Sequence, residues 1–470
     1  MKGLLLIAGY GLLAFTLSWF FSRKPGKTKE QFLVANRSLG LYESAFSIAA
    51  TWIWAPALFI AAQKAYTQGI AGLFWFTVPN VLCLVIFAFF AQKIREKTPQ
   101  GFTLSAFMKE RFSRRVQDLY IVELTGLAAC SFAVQLLAGG KVISSLSGIP
   151  FWLVTVLLAA IALSYSLFSG LKGSVITDYA QMGFILIVGF TLIPWAILKG
   201  GGIDAIVKGL GGVSGEFGNL FNAKGIEVAI VFGIPVSIGL LAGPFGDQSF
   251  WQRAFATRKN HVKEAFITGA MIFAIVPILL SLTGFLAAGN GWQVTDAAQT
   301  NLETIQRLLP PWTIIPFVYM LLSGLVSTQD SNLCSIAGIV GHDLMNRKQS
   351  TSPPSEQTIL RASRAGMLGL ALAAILIANI PGIQILHLFL FYGTLRASTL
   401  LPTVITLLTD KVSEKGIFYG ILVSILVGLP IFTYGKLTAH TTWIVAGSLI
   451  AVSASGLITY LATLFNPERG

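Results

Sequence analysis

Long apolar runs separated by short polar segments dominate the pattern along this chain of 470 residues. A helix needs roughly 20 mainly apolar residues to cross a bilayer, and by that rule the pattern predicts thirteen membrane-spanning helices. The predicted spans cover about 3–22, 44–66, 70–92, 117–144, 151–169, 174–198, 227–246, 264–288, 312–340, 365–380, 383–408, 416–434 and 441–465. The pattern is therefore typical of an all-α polytopic membrane protein.

Composition and charge agree with this fold class and indicate an orientation. Hydrophobic residues make up 54% of the chain and charged residues 11%, whereas a soluble domain carries about 25% charged residues. If the N-terminus lies outside and the spans alternate, most of the 33 basic residues fall on the inner side. The positive-inside rule then predicts an N-terminus outside and a C-terminus inside. Because the topology accounts for the net charge of +13, membrane lipid is expected as a partner and nucleic acid is not.

Residues that would indicate catalysis or a structural metal are scattered. Cys83, Cys130 and Cys334 fall inside predicted spans without disulfide or zinc spacing, and no nucleophile–base set accompanies the four histidines. The first apolar run lacks a small-residue cleavage site, so we interpret it as a retained span. No connecting segment is long enough for a soluble domain, and no obligate protein partner is evident. The sequence therefore predicts a non-enzymatic membrane protein, expected in a bacterial plasma (inner) membrane.

Two predicted spans contain helix-breaking residues in their middle. The stretch "AATWIWAPALF" (49–59) includes Pro56, and "GLLAGPFGDQSFWQ" (239–252) includes Gly243 and Gly246. Backbone that leaves the helical hydrogen-bond pattern at membrane depth must be buried in protein or line a wet cavity. The two spans are five apart and run in opposite directions in the predicted topology, as in the inverted repeats of secondary transporters. A simple kink at each position is the alternative.

A third predicted span carries an unusual number of polar residues, in the stretch "LLSGLVSTQDSNLCS" (321–335). Gly324, Ser327 and Thr328 stand at i, i+3 and i+4 and therefore share one helix face. Two hydroxyls and a carbonyl that no side chain shields form half a shell of the neutral oxygen ligands that hard cations bind. This face is a candidate half-site for a cation.

The remaining oxygens of such a site would come from the interrupted span 44–66. Its unwound backbone offers carbonyls around Ala50 and Ile53. The alternative for the serine and threonine side chains is a hydrogen bond back to the carbonyl four residues earlier, which is common in membrane helices. Asp330 and Asn332 lie on other faces of their helix, and we expect them to bond neighbouring helices instead.

Four stretches, in order, resemble motifs of the sodium:solute symporter family. They are "FLVANRSLG" (32–40), "AATWIW" (49–54), "SGLKGSVITDYAQ" (169–181) and "GLVSTQDSNLCSIAGIVGHDL" (324–344). The resemblance covers essentially the whole chain and implies a LeuT-type core of ten helices in two inverted five-helix repeats, over about 44–408. A leading helix and a cytoplasmic loop (1–43) would precede this core, and two C-terminal helices with a short tail (409–470) would follow it.

The resemblance also implies one principal sodium site, with sodium as the coupling ion and no other cofactor. The Na⁺ ligands would be the carbonyls of Ala50, Ile53 and Gly324 and the hydroxyls of Ser327 and Thr328. Asp178 matches the family's acid on the fifth helix, near the inner end of the ion path. The alternative for Asp178 is a helix-start carboxylate beside Lys172. This chain departs from many members of the family by carrying glycine at position 324 and tryptophan at position 54, where a small or hydroxyl-bearing residue is frequent. Gly324 still offers its carbonyl as a ligand.

Two stretches, 51–76 and 246–252, look most like the urea-transporting branch of the family. The resemblance implies a solute pocket lined by residues from several core helices. The expected lining residues are Trp52, Trp54, Ala55, Pro56, Trp75, Thr77, Gln135 and Phe245. Aromatic walls with few polar groups suit a small, compact solute. For each tryptophan the alternative is a role in packing or at the membrane interface.

One charged residue, Arg396 in "FYGTLRASTLLP", lies near the middle of the tenth core helix. A cation at that depth costs at least about 2.5–3.5 kcal/mol on insertion scales, so a partner is expected to compensate it. Either a substrate carboxylate binds Arg396, or the residue pairs structurally with Asp247 or Asp330.

Together these features favour a sodium-coupled symporter that imports a small polar organic solute by alternating access. A urea-like or another small neutral solute is favoured. The alternatives are a symporter of a carboxylate or amino acid held by Arg396, a proton-coupled permease in which Asp178 carries the proton, and a membrane sensor that binds solute without moving it. A sensor would normally need a signalling domain, and the sequence does not encode one.

Overall fold

The computed structural model describes residues 2–21, 28–347, 354–383, 385–438 and 440–465, and within these ranges the chain forms helices and turns but no β-strand. The α-helices are α1 (Lys2–Phe21), α2 (Lys29–Val34), α3 (Leu41–Trp52), α4 (Ala55–Lys97), α5 (Leu104–Arg111), α6 (Arg114–Ser147), α7 (Phe151–Lys199), α8 (Gly202–Gly209), α9 (Ala223–Val228), α10 (Ile234–Leu241), α11 (Gln248–Ala256), α12 (Val262–Gly289), α13 (Thr300–Leu308), α14 (Ile314–Gly338), α15 (Glu356–Ala378), α16 (Ile385–Leu408), α17 (Glu414–Val423), α18 (Leu429–Leu437) and α19 (Thr441–Phe465). The expected all-α class is confirmed.

Nine helical segments of the described chain are long and apolar enough to cross a membrane. They are Ala55–Lys97, Arg114–Ser147, Phe151–Lys199, Ala223–Leu241, Lys259–Gly289, Pro311–Arg347, Glu356–Ala378, Glu414–Leu437 and Thr441–Phe465. The first and third contain 43 and 49 residues, about twice the length that one crossing needs. Each therefore joins parts of two predicted spans, while α1 and α16 correspond to two further ones. A total of thirteen crossings, and their orientation, stay predictions.

Both over-long helices bend sharply at a glycine with positive φ. Gly69 bends α4 with a φ of 54°, and Gly170 bends α7 with a φ of 58°. A β-carbon at Gly69 would lie 2.4 Å from the carbonyl oxygen of Leu210, and one at Gly170 would lie 2.4 Å from that of Phe32. Only glycine combines the left-handed backbone with such close backbone approach. The two glycines therefore turn the chain where the sequence pattern separates one span from the next.

The two predicted helix interruptions are present. α3 ends at Trp52 and α4 begins at Ala55, so the backbone is non-helical at Ile53 and Trp54. Pro56 stands in the first turn of α4, where its missing N–H breaks no helical hydrogen bond. The second interruption separates α10 from α11 over residues 242–247.

The residues of the second interruption lie against the end of α3, beside the first interruption, and against α16. A β-carbon on Gly243 would lie 2.3 Å from the indole of Trp52, and one on Gly246 would lie 2.5 Å from the β-carbon of Arg396. The missing side chains at Gly243 and Gly246 let the unwound backbone approach both groups. The interruptions thus meet beside α16, which makes this region the candidate site.

Short helices also occupy the connecting segments, where the sequence pattern predicted none. These are α5, α8 and α13, with eight, eight and nine residues. Polar caps start several longer helices: Ser113, Ser355 and Ser413 accept hydrogen bonds from backbone N–H groups in the first turns of α6, α15 and α17. Such caps satisfy N–H groups that would otherwise lack a helical partner.

Candidate solute and cation sites

The candidate cation site lies where α14 packs against the interruption between α3 and α4. A β-carbon on Gly324 would lie 3.0 Å from the carbonyl oxygen of Ile53. The Thr328 hydroxyl donates to the carbonyls of Thr51 at 3.1 Å and Gly324 at 3.2 Å. The structure therefore brings three expected ligand residues together. It adds the carbonyl of Thr51, which the sequence pattern did not single out although it neighbours Ala50.

The other two expected ligand residues already bond within the protein. The carbonyl of Ala50 accepts the N–H of Ile53 at 3.1 Å in the last turn of α3. The Ser327 hydroxyl donates to Asp178. A hydroxyl that donates its hydrogen keeps the lone pairs on its oxygen, and a carbonyl oxygen that accepts one hydrogen bond keeps a second lone pair. Both residues can therefore still bind a cation. The oxygen set is neutral, dense and buried, so the residues fit a hard monovalent cation such as sodium.

Asp178 faces this oxygen set from the interior of α7. Its side chain is fully buried, and it accepts hydrogen bonds from Ser327 on α14 and Ser47 on α3. Its charge is paired with Arg253 at 3.0 Å. The alternative of a helix-start carboxylate beside Lys172 is wrong, because Phe151–Lys199 is continuous helix around Asp178 apart from the bend at Gly170. A role on the ion path stays a prediction.

Arg253 is a buried arginine that follows the predicted span 227–246 and precedes the basic segment 258–263, so the positive-inside pattern alone would put it in an inner loop. It is fully buried in α11, and its guanidinium donates to oxygens of four residues. These are Ser47 Oγ at 2.9 Å, Ser331 Oγ at 2.7 Å, Asp178 Oδ2 at 3.0 Å and the carbonyl of Ser249 at 3.2 Å. The signal in the sequence was the apolar and aromatic flank of Arg253, "SFWQRAFA", which is typical of a buried helix rather than a basic loop.

Asp330 and Asn332 bond neighbouring helices, as predicted. The Asp330 carboxylate accepts the hydroxyls of Tyr165 at 2.7 Å and Ser174 at 2.8 Å, both on α7. The Asn332 amide donates to Ser131 on α6 at 3.1 Å. These contacts attach α14 to α6 and α7, and they leave the face of Gly324 free to turn toward α3.

Aromatic rings surround the guanidinium of Arg396 on α16. The rings of Trp52 and Trp54 lie 5.8 Å apart, and that of Tyr392 lies 5.7 Å from Trp54. The Arg396 guanidinium carbon is 5.7 Å, 5.5 Å and 4.3 Å from the ring centres of Trp52, Trp54 and Tyr392, within cation–π range. We call these three residues the aromatic cage. Tyr392 was missed, although it precedes Arg396 by one helical turn.

The alternative in which Arg396 pairs structurally with Asp247 or Asp330 finds no direct ion pair among the described residues, although Asp247 lies within electrostatic range of Arg396. Arg396 is fully buried and its Nε donates to the carbonyl of Gly239 at 2.7 Å. Its two terminal nitrogens donate to no residue that the structure describes. Asp247 instead caps α11 by accepting the N–H of Ser249 at 2.8 Å, and Asp330 is held by α7. The sequence could not exclude these pairs, because each requires only that a carboxylate lie at similar depth.

Among the remaining expected lining residues, Gln135 lies beside the cage, whereas Phe245 and Trp75 pack against other parts of the protein. Gln135 accepts the first N–H of α4, from Ala55, at 2.7 Å, which holds the start of that helix beside the cage. Phe245 packs instead with Phe87 and Phe90, at 5.1 Å from each ring. Trp75 packs over Gly233, where a β-carbon would lie 2.5 Å from its ring. Thr77 is buried on α4.

A cavity of about 270 Å³ lies on one side of the cage. Its lining includes Phe59 and Gln63 of α4, Ala138 of α6 and Ile385 of α16. These positions are one or two helical turns from the cage and Gln135 along the same three elements. In the predicted orientation this side faces outward, so the cavity is a candidate vestibule.

An all-helical membrane protein with two interrupted helices that meet at a buried polar site is a secondary transporter by its architecture. The chain belongs to the sodium:solute symporter family, whose model matches residues 32–424. The resemblance noted in the motifs is thereby confirmed.

Named relatives of the chain are transporters of several solutes. The rice protein described as urea-proton symporter DUR3 is 23% identical over 99% of this chain and 71% of its own length. A probable urea active transporter of Schizosaccharomyces pombe is 24% identical over 98% and 75%. The sodium/glucose cotransporter of Vibrio parahaemolyticus is 24% identical over 89% and 82%. The chain is accordingly a transporter and not an enzyme.

Solved structures share the fold at low sequence identity. A Na⁺-coupled sialic acid symporter in a substrate-bound outward-open state matches with a TM-score of 0.79 at 15% identity, over 100% of this chain and 99% of that one. MHP1, a nucleobase-cation-symport-1 family transporter, matches with a TM-score of 0.59 at 15% identity, over 94% and 96%. The chain therefore has the LeuT-type transporter fold.

Proposed function

We propose that this protein is a cation-coupled symporter that imports a small polar organic solute by alternating access, with urea as the favoured solute. The observation that carries the proposal is the buried Arg396 inside the aromatic cage. Its two terminal nitrogens have hydrogens to donate and face rings rather than carboxylates. A flat solute with one strong acceptor oxygen would take those hydrogen bonds and pack its face on an aromatic ring.

A neutral solute is favoured because the relatives named as urea transporters align over nearly the whole chain. The second candidate is a carboxylate or an amino acid. The same unpaired guanidinium favours it, since a carboxylate can accept two parallel hydrogen bonds from an arginine and also neutralise the buried charge. Trp52, Trp54, Ala55, Pro56 and Gln135 would line the solute pocket in both cases, and Trp75, Thr77 and Phe245 would support its outer walls.

Sodium is the proposed coupling ion, held by the carbonyls of Ala50, Ile53 and Gly324 and the hydroxyls of Ser327 and Thr328. One sodium ion supplies about 1.4 kcal/mol per tenfold gradient and about 2.3 kcal/mol per 100 mV. That sum is enough to accumulate a neutral solute several hundredfold. Proton coupling is the second candidate because the rice relative is described as a urea-proton symporter. Asp178 would then carry the proton.

The proposed transport core spans 44–408, between a leading helix with its cytoplasmic loop (1–43) and two C-terminal helices with a tail (409–470). We place the protein in a plasma membrane of the bacterial inner-membrane type, with small-molecule solute, sodium and lipid as its partners. A sensor that binds solute without moving it is the remaining alternative.

Uptake into proteoliposomes separates these candidates. Purified protein is reconstituted, and radiolabelled urea uptake is measured under an inward sodium gradient, under an inward proton gradient in sodium-free buffer, and under neither. We expect concentrative urea uptake under the sodium gradient, with Arg396→Gln as the inactive comparison. Urea uptake under the proton gradient but not under the sodium gradient would show that the coupling ion is the proton and not sodium. No urea uptake together with sodium-driven uptake of a radiolabelled carboxylate would show that the solute is a carboxylate, and solute binding without any uptake would indicate a sensor.

A further inference from the structure

Arg253 is surrounded by oxygens in the way that a bound metal cation would be. The oxygens come from four different helices: Ser47 on α3, Asp178 on α7, Ser249 on α11 and Ser331 on α14. All the side chains involved are buried. One carboxylate and several neutral oxygens around a single positive charge are also a suitable ligand set for a hard cation.

This group of oxygens adjoins the proposed sodium site directly. Ser327, an expected sodium ligand, donates to one oxygen of Asp178, while Arg253 pairs with the other. Ser331 follows Ser327 by one turn of α14, accepts a hydrogen from Arg253 and donates its own to the carbonyl of Ser327. The two sites therefore share Asp178 and a continuous face of α14.

We propose that Arg253 is a tethered cation: its guanidinium permanently fills a second cation site formed by Asp178, Ser47 and Ser331, so that the transporter binds a single free coupling cation. The inference rests on the proposed function only for the identity of the free cation, sodium. A guanidinium attached to α11 cannot leave with the solute, and while it stays it neutralises Asp178 and excludes a second ion from the same oxygens.

A cation site around Arg253 would respond to sodium once the guanidinium is removed, whereas a purely structural ion pair would not. Removing the guanidinium leaves Asp178 buried without a counter-charge beside at least two hydroxyl oxygens. Breaking a buried pair in this way is strongly destabilising because it strands a charge in a low-dielectric interior. If these oxygens form a cation site, added sodium restores the charge balance and stabilises the variant by mass action.

The test measures sodium-dependent thermal stability and radiolabelled sodium binding of the purified full-length protein. The variants are Arg253→Ala, the charge-preserving Arg253→Lys, and the double variant Arg253→Ala with Asp178→Asn. We expect Arg253→Ala to be unstable in choline chloride and to recover in sodium, with bound sodium rising from about one to about two ions per chain. Arg253→Lys should keep about one ion, and the double variant should gain none.

Identical sodium binding by the native protein and Arg253→Ala, or an instability that sodium does not relieve, would overturn the inference. If Arg253→Ala yields no protein even in sodium, the native protein decides, since two or more bound ions per chain would contradict a filled second site. The outcomes also separate the two proposals. Sodium binding by Arg253→Ala but not by the native protein would leave the tethered cation standing and remove the principal sodium site.

Discussion

Arg253 and Arg396 are both fully buried among membrane-spanning helices, yet their surroundings differ in kind. Arg253 donates to oxygens of four residues and is ion-paired with Asp178. Within the described chain the Arg396 Nε donates to the backbone carbonyl of Gly239, and the rings of Trp52, Trp54 and Tyr392 lie around the guanidinium. A buried charge that is fully satisfied fixes the structure around it, whereas one with unused donors is available to a ligand.

The difference also assigns the two ends of the candidate site. In the predicted orientation Arg253 lies on the inner side, where its contacts join α11 to α3, α7 and α14. Arg396 lies between the two helix interruptions and below the vestibule. In the proposed mechanism Arg253 belongs to the ion half of the site and Arg396 to the solute half. Alternating access requires that the two halves respond to each other.

The largest expected effect on stability comes from breaking the buried ion pair between Arg253 and Asp178. Asp178→Asn leaves the Arg253 guanidinium buried without its counter-charge, so we expect a loss of roughly 3–5 kcal/mol in the free energy of unfolding. Thermal unfolding in detergent measures the change. The matched control is Glu123→Gln, another buried carboxyl, which accepts hydrogen bonds from Ser398 and Thr399 and forms no ion pair within the described chain. It should lose only about 1 kcal/mol. Equal losses for both variants would show that the ion pair contributes no special stability.

A smaller effect is expected at the sodium ligands. Ser327→Ala and Thr328→Ala each remove one oxygen while keeping the helix packing, so sodium affinity should fall at least tenfold, or about 1.4 kcal/mol. Sodium titration of thermal stability measures it. Ser335→Ala is the control on the same helix, because among the described residues its hydroxyl bonds the carbonyl of Asn332 and no proposed sodium ligand. Wild-type sodium affinity in both ligand variants would place the ion elsewhere.

Features that depend on local sequence could be predicted, whereas features that depend on contacts between distant helices could not. The interruptions followed from Pro56, Gly243 and Gly246, since backbone preferences are local. The hydroxyl face of α14 followed from helical spacing alone. The burial of Arg253 could not be predicted in this way. Its position next to a basic loop resembles the positive-inside pattern, and only the packing of four helices buries its side chain.

The solute half was predictable to a similar degree. Trp52 and Trp54 were expected in the pocket from the resemblance to the family, and Arg396 was identified because it lies deep in an apolar span. The surroundings of Arg396 could not be predicted, because the presence of a counter-ion depends on distances between helices that are remote in sequence. The resemblance implied that Phe245 lines the pocket, but its ring packs against Phe87 and Phe90.

The smallest expected effect concerns the wall of the aromatic cage. Tyr392→Leu removes the ring that lies nearest to the Arg396 guanidinium, at 4.3 Å, so solute affinity should weaken by roughly 0.5–2 kcal/mol. Tyr392→Phe keeps the ring and should stay close to the native value. Isothermal binding measurements on the two variants check this. A larger loss for Phe than for Leu would mean that the hydroxyl, and not the ring, acts on the solute.

The most direct test of the central claim is whether solute stabilises the protein through Arg396. Thermal stability of the native protein, Arg396→Gln and Arg396→Lys is measured with urea and with a set of small carboxylates. Because no carboxylate of the described residues forms a direct ion pair with Arg396, we expect Arg396→Gln to lose less stability without solute than Asp178→Asn does, and to lose all stabilisation by urea. A variant that unfolds readily without solute, or one that urea still stabilises fully, would contradict the assignment of Arg396 to the solute site.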